Sequence, residues 1–335
     1  MRASLFLLAT LTSALTLAAP DAGGLPALGV HPLPLLPSAP GRIGMDYLGY
    51  EPSTNQVWIP GANTGRVFVV DGTTESIRTM EGFPTREKDG RVLGPTSVAF
   101  GPGQAFIGNR ADASVCAVDL RTLQRGACVT LGDAPDGLAY VPTTDEVWAT
   151  TPRSKAIVII AAKKGLAVTG NIQLDGQPEG YAVDATRGRF YTNLEDKNET
   201  LAIDVRARTV AARWPTGCGT DGPRGMALDT VAGLLVVACT DRLLSFVLSP
   251  TPRPQGSVET GVGVDNIDFA PRGSTLFAAA GKAELLTRVH LAPDGTLRAT
   301  GTAHTAPGVR VVVVTAAGRA FAADLNAGQL WVSGP

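Results

Sequence analysis

The chain has 335 residues, 29 of them Lys or Arg and 30 Asp or Glu, for a net charge of −1. That balance, with no basic run long enough to follow a phosphate backbone, argues against nucleic acid as a partner. Length alone allows two domains, so the division has to come from the pattern of residues. Arg greatly outnumbers Lys, and Gly, Pro and Ala are abundant, a bias that speaks of GC-rich bacterial coding more than of chemistry.

The first element in chain order is a signal peptide at residues 1–18. Met1 and Arg2 precede an apolar run to Leu17 that is short for a membrane span and ends in small residues. Cleavage after Ala18 places small residues on the N-terminal side of the cut. No second long apolar run follows, so the chain is expected to be exported, to the periplasm or beyond, with no membrane span once the signal is removed. Residues 19–32 read as an N-terminal leader, and residues 33–335 as a single domain.

From Tyr47 onward one phrase restarts seven times, at Tyr47, Ser97, Gly137, Gly180, Gly225, Asn266 and Arg310, at intervals of 40 to 50 residues. The clearest pair runs from Tyr50 to Trp58 and from Tyr140 to Trp148. Each restart opens with an almost unbroken apolar strand such as Ser97-Val98-Ala99-Phe100, the mark of a strand packed on both faces. A second strand follows, then an alternating one such as Thr200-Leu201-Ala202-Ile203-Asp204, then a polar hairpin to an outer strand. The period and strand count predict an all-β, seven-bladed beta-propeller with four-stranded blades. After Arg310 only three strands fit. The segment Leu33–Pro40 has no partner of its own, and Pro is tolerated on an outer edge, so it is expected to complete the last blade and close the ring.

The four cysteines agree with export. Cys116 and Cys128 flank a hairpin turn near Thr122 at equal distance, so antiparallel pairing sets them opposite one another. Cys218 ends one blade and Cys239 lies in the next, and a bond between them would staple neighbours. Three connectivities are formally possible. Zinc spacing is absent.

The phrases Gly65-Arg66-Val67-Phe68-Val69-Val70-Asp71, Ser114-Val115-Cys116-Ala117-Val118-Asp119, Ala134-Pro135-Asp136-Gly137-Leu138 and Gln177-Pro178-Glu179-Gly180 resemble the repeats of secreted YVTN-type (YncE-like) propellers over nearly the whole mature chain. The resemblance implies the propeller fold. It is weak for activity, because similar propellers include surface-layer and binding proteins as well as lactonases and redox enzymes.

In a four-stranded blade the loop leading into the inner strand and the loop between the second and third strands share one face. Aligning the restarts puts Asp46, Thr96, Asp136, Glu179, Arg224, Asp265 and Val309 in equivalent positions around the channel mouth. Asn63, Asn109, Arg110, Arg153, Asn193, Glu195 and Asp241 arrive on the same face. Asp46, Asp136, Glu179, Arg224, Asp265, Asn109 and Asn193 are therefore the candidate ligand-binding residues. Crowded carboxylates repel and raise at least one pKa unless a cation or Arg224 compensates, and their oxygens suit a divalent cation such as calcium. Turn chemistry explains each acid singly as well. The arrangement is similar to gluconolactonase-type propellers. That likeness implies Glu179, Asn193, Asn109 and Asp265 as metal ligands and Asp136 as a base toward metal-bound water.

Other chemistries find less support. His31, His290 and His304 fall in the leader, on a third strand and near an outer strand, away from the mouth. Gly217-Cys218-Gly219-Thr220-Asp221-Gly222 spells GxGxxG without a helix to follow, and reads as a turn. Trp58, Trp148 and Trp331 read as packing between blades. The segment Pro84–Arg91 is a charged insertion on the mouth face. The reading is a binding scaffold, monomeric and without a cofactor, that takes a protein or small-molecule ligand at the channel face. Its alternative is a metal-dependent, lactonase-like hydrolase using the same mouth.

Overall fold

Each restart forms one four-stranded antiparallel sheet in the computed structural model, which describes residues 24–37, 41–163, 165–249 and 251–334. Seven sheets follow one another and close into a seven-bladed propeller. Blades 1 to 7 have as inner strands Gly49–Glu51, Pro95–Gly101, Leu138–Val141, Pro178–Asp184, Met226–Asp229, Val264–Ala270 and Val309–Val314.

Burial falls from the axis outward, as the residue pattern requires. The second strands are almost wholly enclosed, with Trp58, Phe106, Trp148, Phe190 and Phe277 buried between neighbouring sheets. Fully burying a side chain of this size contributes about 1.5–3 kcal/mol. Trp58 packs edge-on against Phe100 of blade 2, and Trp148 lies against Phe190 of blade 4. The outer strand Arg125–Thr130, with a single face to bury, is mostly exposed. Asp71, Asp119 and Asp204, which end third strands, each accept backbone N–H groups two and three residues on, so the aspartate that recurs there is a turn former.

The ring closes with an N-terminal strand, although not with the segment expected. Val30–Pro34 pairs antiparallel with Gln329–Ser333, from Val30 opposite Ser333 to Pro34 opposite Gln329. Pro32 and Pro34 are two residues apart, so both lie on the side of the strand whose N–H positions face solvent. A strand over Leu33–Pro40 would turn Pro34 and Pro37 to opposite sides and leave one of them facing the partner with no donor to give. Residues 38–40 lie outside the described residues. Part of the expected leader thus belongs to blade 7, and His31 sits in the closing strand, 2.9 Å from Glu75 of blade 1. Just upstream, Leu28 donates to Thr302 at 2.7 Å and Thr302 donates to Pro26 at 3.0 Å, which ties the chain to the outer strand of blade 6. The expected signal peptide, residues 1–18, lies outside the described residues.

Both disulfides form. Cys116 and Cys128 face each other across the third and fourth strands of blade 2. Cys218, in the connection after blade 4, bonds Cys239, just past the second strand of blade 5. Among the described residues, no helix is long and apolar enough to cross a membrane.

Candidate functional site at the channel mouth

Close approach of the blades decides which residues can lead into the inner strands. A Cβ on Gly137 would collide with the ring of Tyr181, and one on Gly180 with the backbone of Arg224 and Gly225. Glycine after the acid therefore lets the next blade close in, and Asp136 and Glu179 are left at the channel rim.

Asparagines at or just past the ends of second strands grip nearby backbone. Asn63 accepts from the N–H of Gly44 at 2.8 Å and donates to the carbonyl of Arg42 at 2.8 Å. Asn109 accepts from Ala111 at 2.8 Å and donates to Pro84 at 3.0 Å. Asn193 accepts from the Thr200 hydroxyl at 2.7 Å and donates to Arg224 at 2.6 Å. Asn109 and Asn193 are buried, and each has its amide oxygen occupied by a donor.

Arginines link the acids of successive blades. Arg110 of blade 2 pairs with Asp46 of blade 1 at 2.8 Å and also with Asp136 of blade 3. Arg224, which leads into blade 5, pairs with Glu195 of blade 4. Arg310 of blade 7 pairs with Asp265 of blade 6 at 3.3 Å. The Gly217–Gly222 turn forms a short 3-10 segment, Gly219–Asp221, rather than a nucleotide loop; a Cβ on Gly222 would collide with the backbone of Glu195, and the Cys218–Cys239 bond anchors the turn.

Glu179 alone among these acids has neither ion pair nor side-chain hydrogen bond within the described residues. Burial, then the charges of Asp46, Asp265 and Glu195, push its carboxyl up to about 8, with Arg224 opposing. Asp265 also titrates above the usual range, chiefly through burial, with Arg310 holding it down. At neutral pH Glu179 is a protonated carboxyl among four ion pairs made by three arginines. Among the described residues, no three His, Cys, Asp or Glu side chains are grouped as metal ligands.

A floor lies beneath the mouth. Tyr47 of blade 1 and Tyr181 of blade 4, nearly opposite in the ring, stack across the channel with ring centroids 5.6 Å apart, and the Tyr181 hydroxyl accepts from the N–H of Leu138 at 3.1 Å. Below them opens a chamber of about 350 Å³ walled by Val98, Phe100, Leu138, Phe269 and Val312. One acid interrupts that wall. Asp268 accepts from the N–H of Phe269 at 2.8 Å and of Val314 at 2.7 Å, and burial pushes its carboxyl up to about 6 against both bonds.

The structure therefore brings Asp46, Asp136, Glu179, Arg224 and Asp265 together at one mouth, and turns Asn109 and Asn193 to holding backbone. Sequence reasoning missed three things: Arg110 as a bridge between two acids, the tyrosine floor, and Asp268. The last left a signal, because the positions equivalent to it are Gly49, Ala99, Ala139, Ala182, Ala227 and Val312.

Neither a family model nor a curated protein matches the chain. Solved structures do. A chain of the mitotic checkpoint complex is similar with a TM-score of 0.72 at 14% identity, covering 98% of each chain. Kuenenia stuttgartiensis hydrazine synthase gives 0.72 at 14% identity, covering 88% of this chain and 96% of that one. The RRP9 WD40 repeats give 0.73 at 10% identity, covering 92% and 98%. At such identities the likeness shows the propeller fold alone.

Proposed function

We propose that this propeller is an exported, YVTN-type binding module that engages a protein or small-molecule ligand at its channel mouth. The observation that carries the reading is the bridging of Asp46, Asp136, Glu195 and Asp265 by Arg110, Arg224 and Arg310. Held by arginines, one of them shared between two acids, these groups offer donors and acceptors to a partner instead of a bare ring of negative charge seeking a cation. Propellers serve such roles widely, and one similar chain sits within the mitotic checkpoint complex. Export rests on the N-terminal run and on two disulfides, which persist in oxidising compartments. A monomer needs nothing further to complete the ring.

The competing reading, a divalent-metal lactonase, draws on Glu179, a half-buried carboxyl without an ion pair that is pushed up to about 8. Residues 19–335 assayed against a panel of lactones with calcium or zinc separate the two. The binding module gives no turnover above buffer. Metal-dependent hydrolysis that disappears in Glu179→Gln would establish the hydrolase instead.

A further inference from the structure

Blade 1 is joined to blade 2 by a hairpin that no other blade connection carries among the described residues. Its strands, Arg86–Lys88 and Arg91–Leu93, pair Arg86 with Leu93, Glu87 with Val92 and Lys88 with Arg91. The turn is Asp89-Gly90, both with positive φ, the preferred chemistry for a two-residue hairpin loop. Both feet are fastened to adjacent residues. The carbonyl of Pro84 accepts from Asn109, and the carbonyl of Gly94 accepts from the N–H of Arg110 at 3.0 Å. The hairpin is thus held as an arm at the edge of the mouth.

Strand alternation then sorts its charges. Arg86, Lys88, Arg91 and Leu93 line a cleft of about 630 Å³ between the arm and the loops of blades 3 and 4, while Glu87 and Val92 do not line it. Arg153 lines the cleft from blade 3. Among the described residues, none of these four cations has an ion-pair or side-chain hydrogen-bond partner. Lys88 and Arg91 are directly opposite one another, a like-charge pair that costs a two-stranded hairpin stability and brings no packing in return. The cleft's acids do not offset them: Asp136 is held by Arg110, Glu179 keeps its proton at neutral pH, and Asp133 alone is left. A near-neutral protein thus gathers unpaired positive charge at one preformed cleft, of a size that suits a small molecule.

We propose that the cleft between the Arg86–Leu93 arm and blade 3 binds a small molecule carrying two or more oxyanion groups, with Arg86, Lys88 and Arg91 on one side of it and Arg153 on the other. Arginine forks match phosphate, sulfate and carboxylate oxygens, and an anion between Lys88 and Arg91 relieves their repulsion. This rests on the mouth-face binding reading and names its ligand class.

The test is titration calorimetry of residues 19–335 with inorganic tripolyphosphate and, separately, citrate, which distinguishes phosphate from carboxylate preference. The variants are Arg86→Ala/Lys88→Ala/Arg91→Ala, Arg153→Ala and Glu179→Gln. Arg86, Arg91 and Arg153 are exposed and Lys88 is half-buried on a surface hairpin outside the blades, so these changes leave the fold intact. The expected result is saturable one-to-one binding of at least one anion, weakened about tenfold for each cation removed and falling above pH 8 in the native protein as Glu179 ionises, a fall absent from Glu179→Gln. No binding of either anion overturns the ligand class and leaves the mouth open to a neutral or cationic partner. Binding that survives loss of all four cations overturns the cleft. If that surviving binding is lost in Glu179→Gln, the anion sits in the mouth and the mouth-face reading stands; if it is indifferent to every variant, that reading gains nothing from it.

Discussion

The two ends of the channel are built from the same strand positions and have opposite characters. At the mouth, residues at the start of the inner strands and in the loops after the second strands supply acids and arginines that pair from blade to blade. Two to four residues further along the same strands, the wall is Val98, Phe100, Leu138 and Phe269, with Asp268 as its one acid. The tyrosine pair between them is a partition. A repeat fixes which positions face the axis and leaves each blade free to choose what it puts there, so recognition can be written at one end without disturbing the other.

Removing the partition should have the largest effect. Tyr181→Ala takes away a ring that stacks on Tyr47 and fills the space over Gly137, and is expected to cost about 3 kcal/mol, read as a drop in the urea midpoint. It should also join the two compartments. Unchanged stability would mean that the tyrosines merely line the channel.

Asp268 probes the lower end. Asp268→Ala leaves the N–H groups of Phe269 and Val314 without acceptors and should cost about 2 kcal/mol. In the native protein the raised folded pKa makes the unfolded chain lose its proton first. Stability is therefore fullest below the unfolded value and declines as pH rises toward about 6. A denaturation series from pH 3.5 to 7 on the native protein and Asp268→Asn isolates that decline.

Glu179 sharpens the contrast at the mouth with a pH dependence of the same sign. Its folded pKa of about 8 stands above the ordinary 4.5, so its contribution is present below pH 4.5 and is lost as pH rises through 8. Glu179→Gln is expected to match the native Tm at pH 4 and exceed it by about 3 °C at pH 8.5. Equal values at both pH values would place Glu179 in solvent.

Much of this was legible in the residues. The seven restarts, the aspartates that end third strands and the glycines after Asp136 and Glu179 each follow from local backbone demands that repeat wherever a blade repeats. The closing strand was legible in kind and displaced in position, because the alternation of Pro32 and Pro34, not the lack of a partner, decides which stretch can sit on the edge. Contacts across the ring were not legible. Tyr47 meets Tyr181, and Arg110 reaches both Asp46 and Asp136, only because seven blades close at a particular radius. The asparagines looked like ligands because an amide that grips a backbone and one that grips a cation have the same composition.

The central claim is that the mouth acids are satisfied by arginine. The most direct test is the metal content of residues 19–335, together with the shift in Tm on adding calcium or zinc, for the native protein and for Glu179→Gln. A mouth bridged by Arg110, Arg224 and Arg310 predicts no stoichiometric metal and no shift in either protein. One bound metal ion per chain with a raised Tm, both lost in Glu179→Gln, would contradict it.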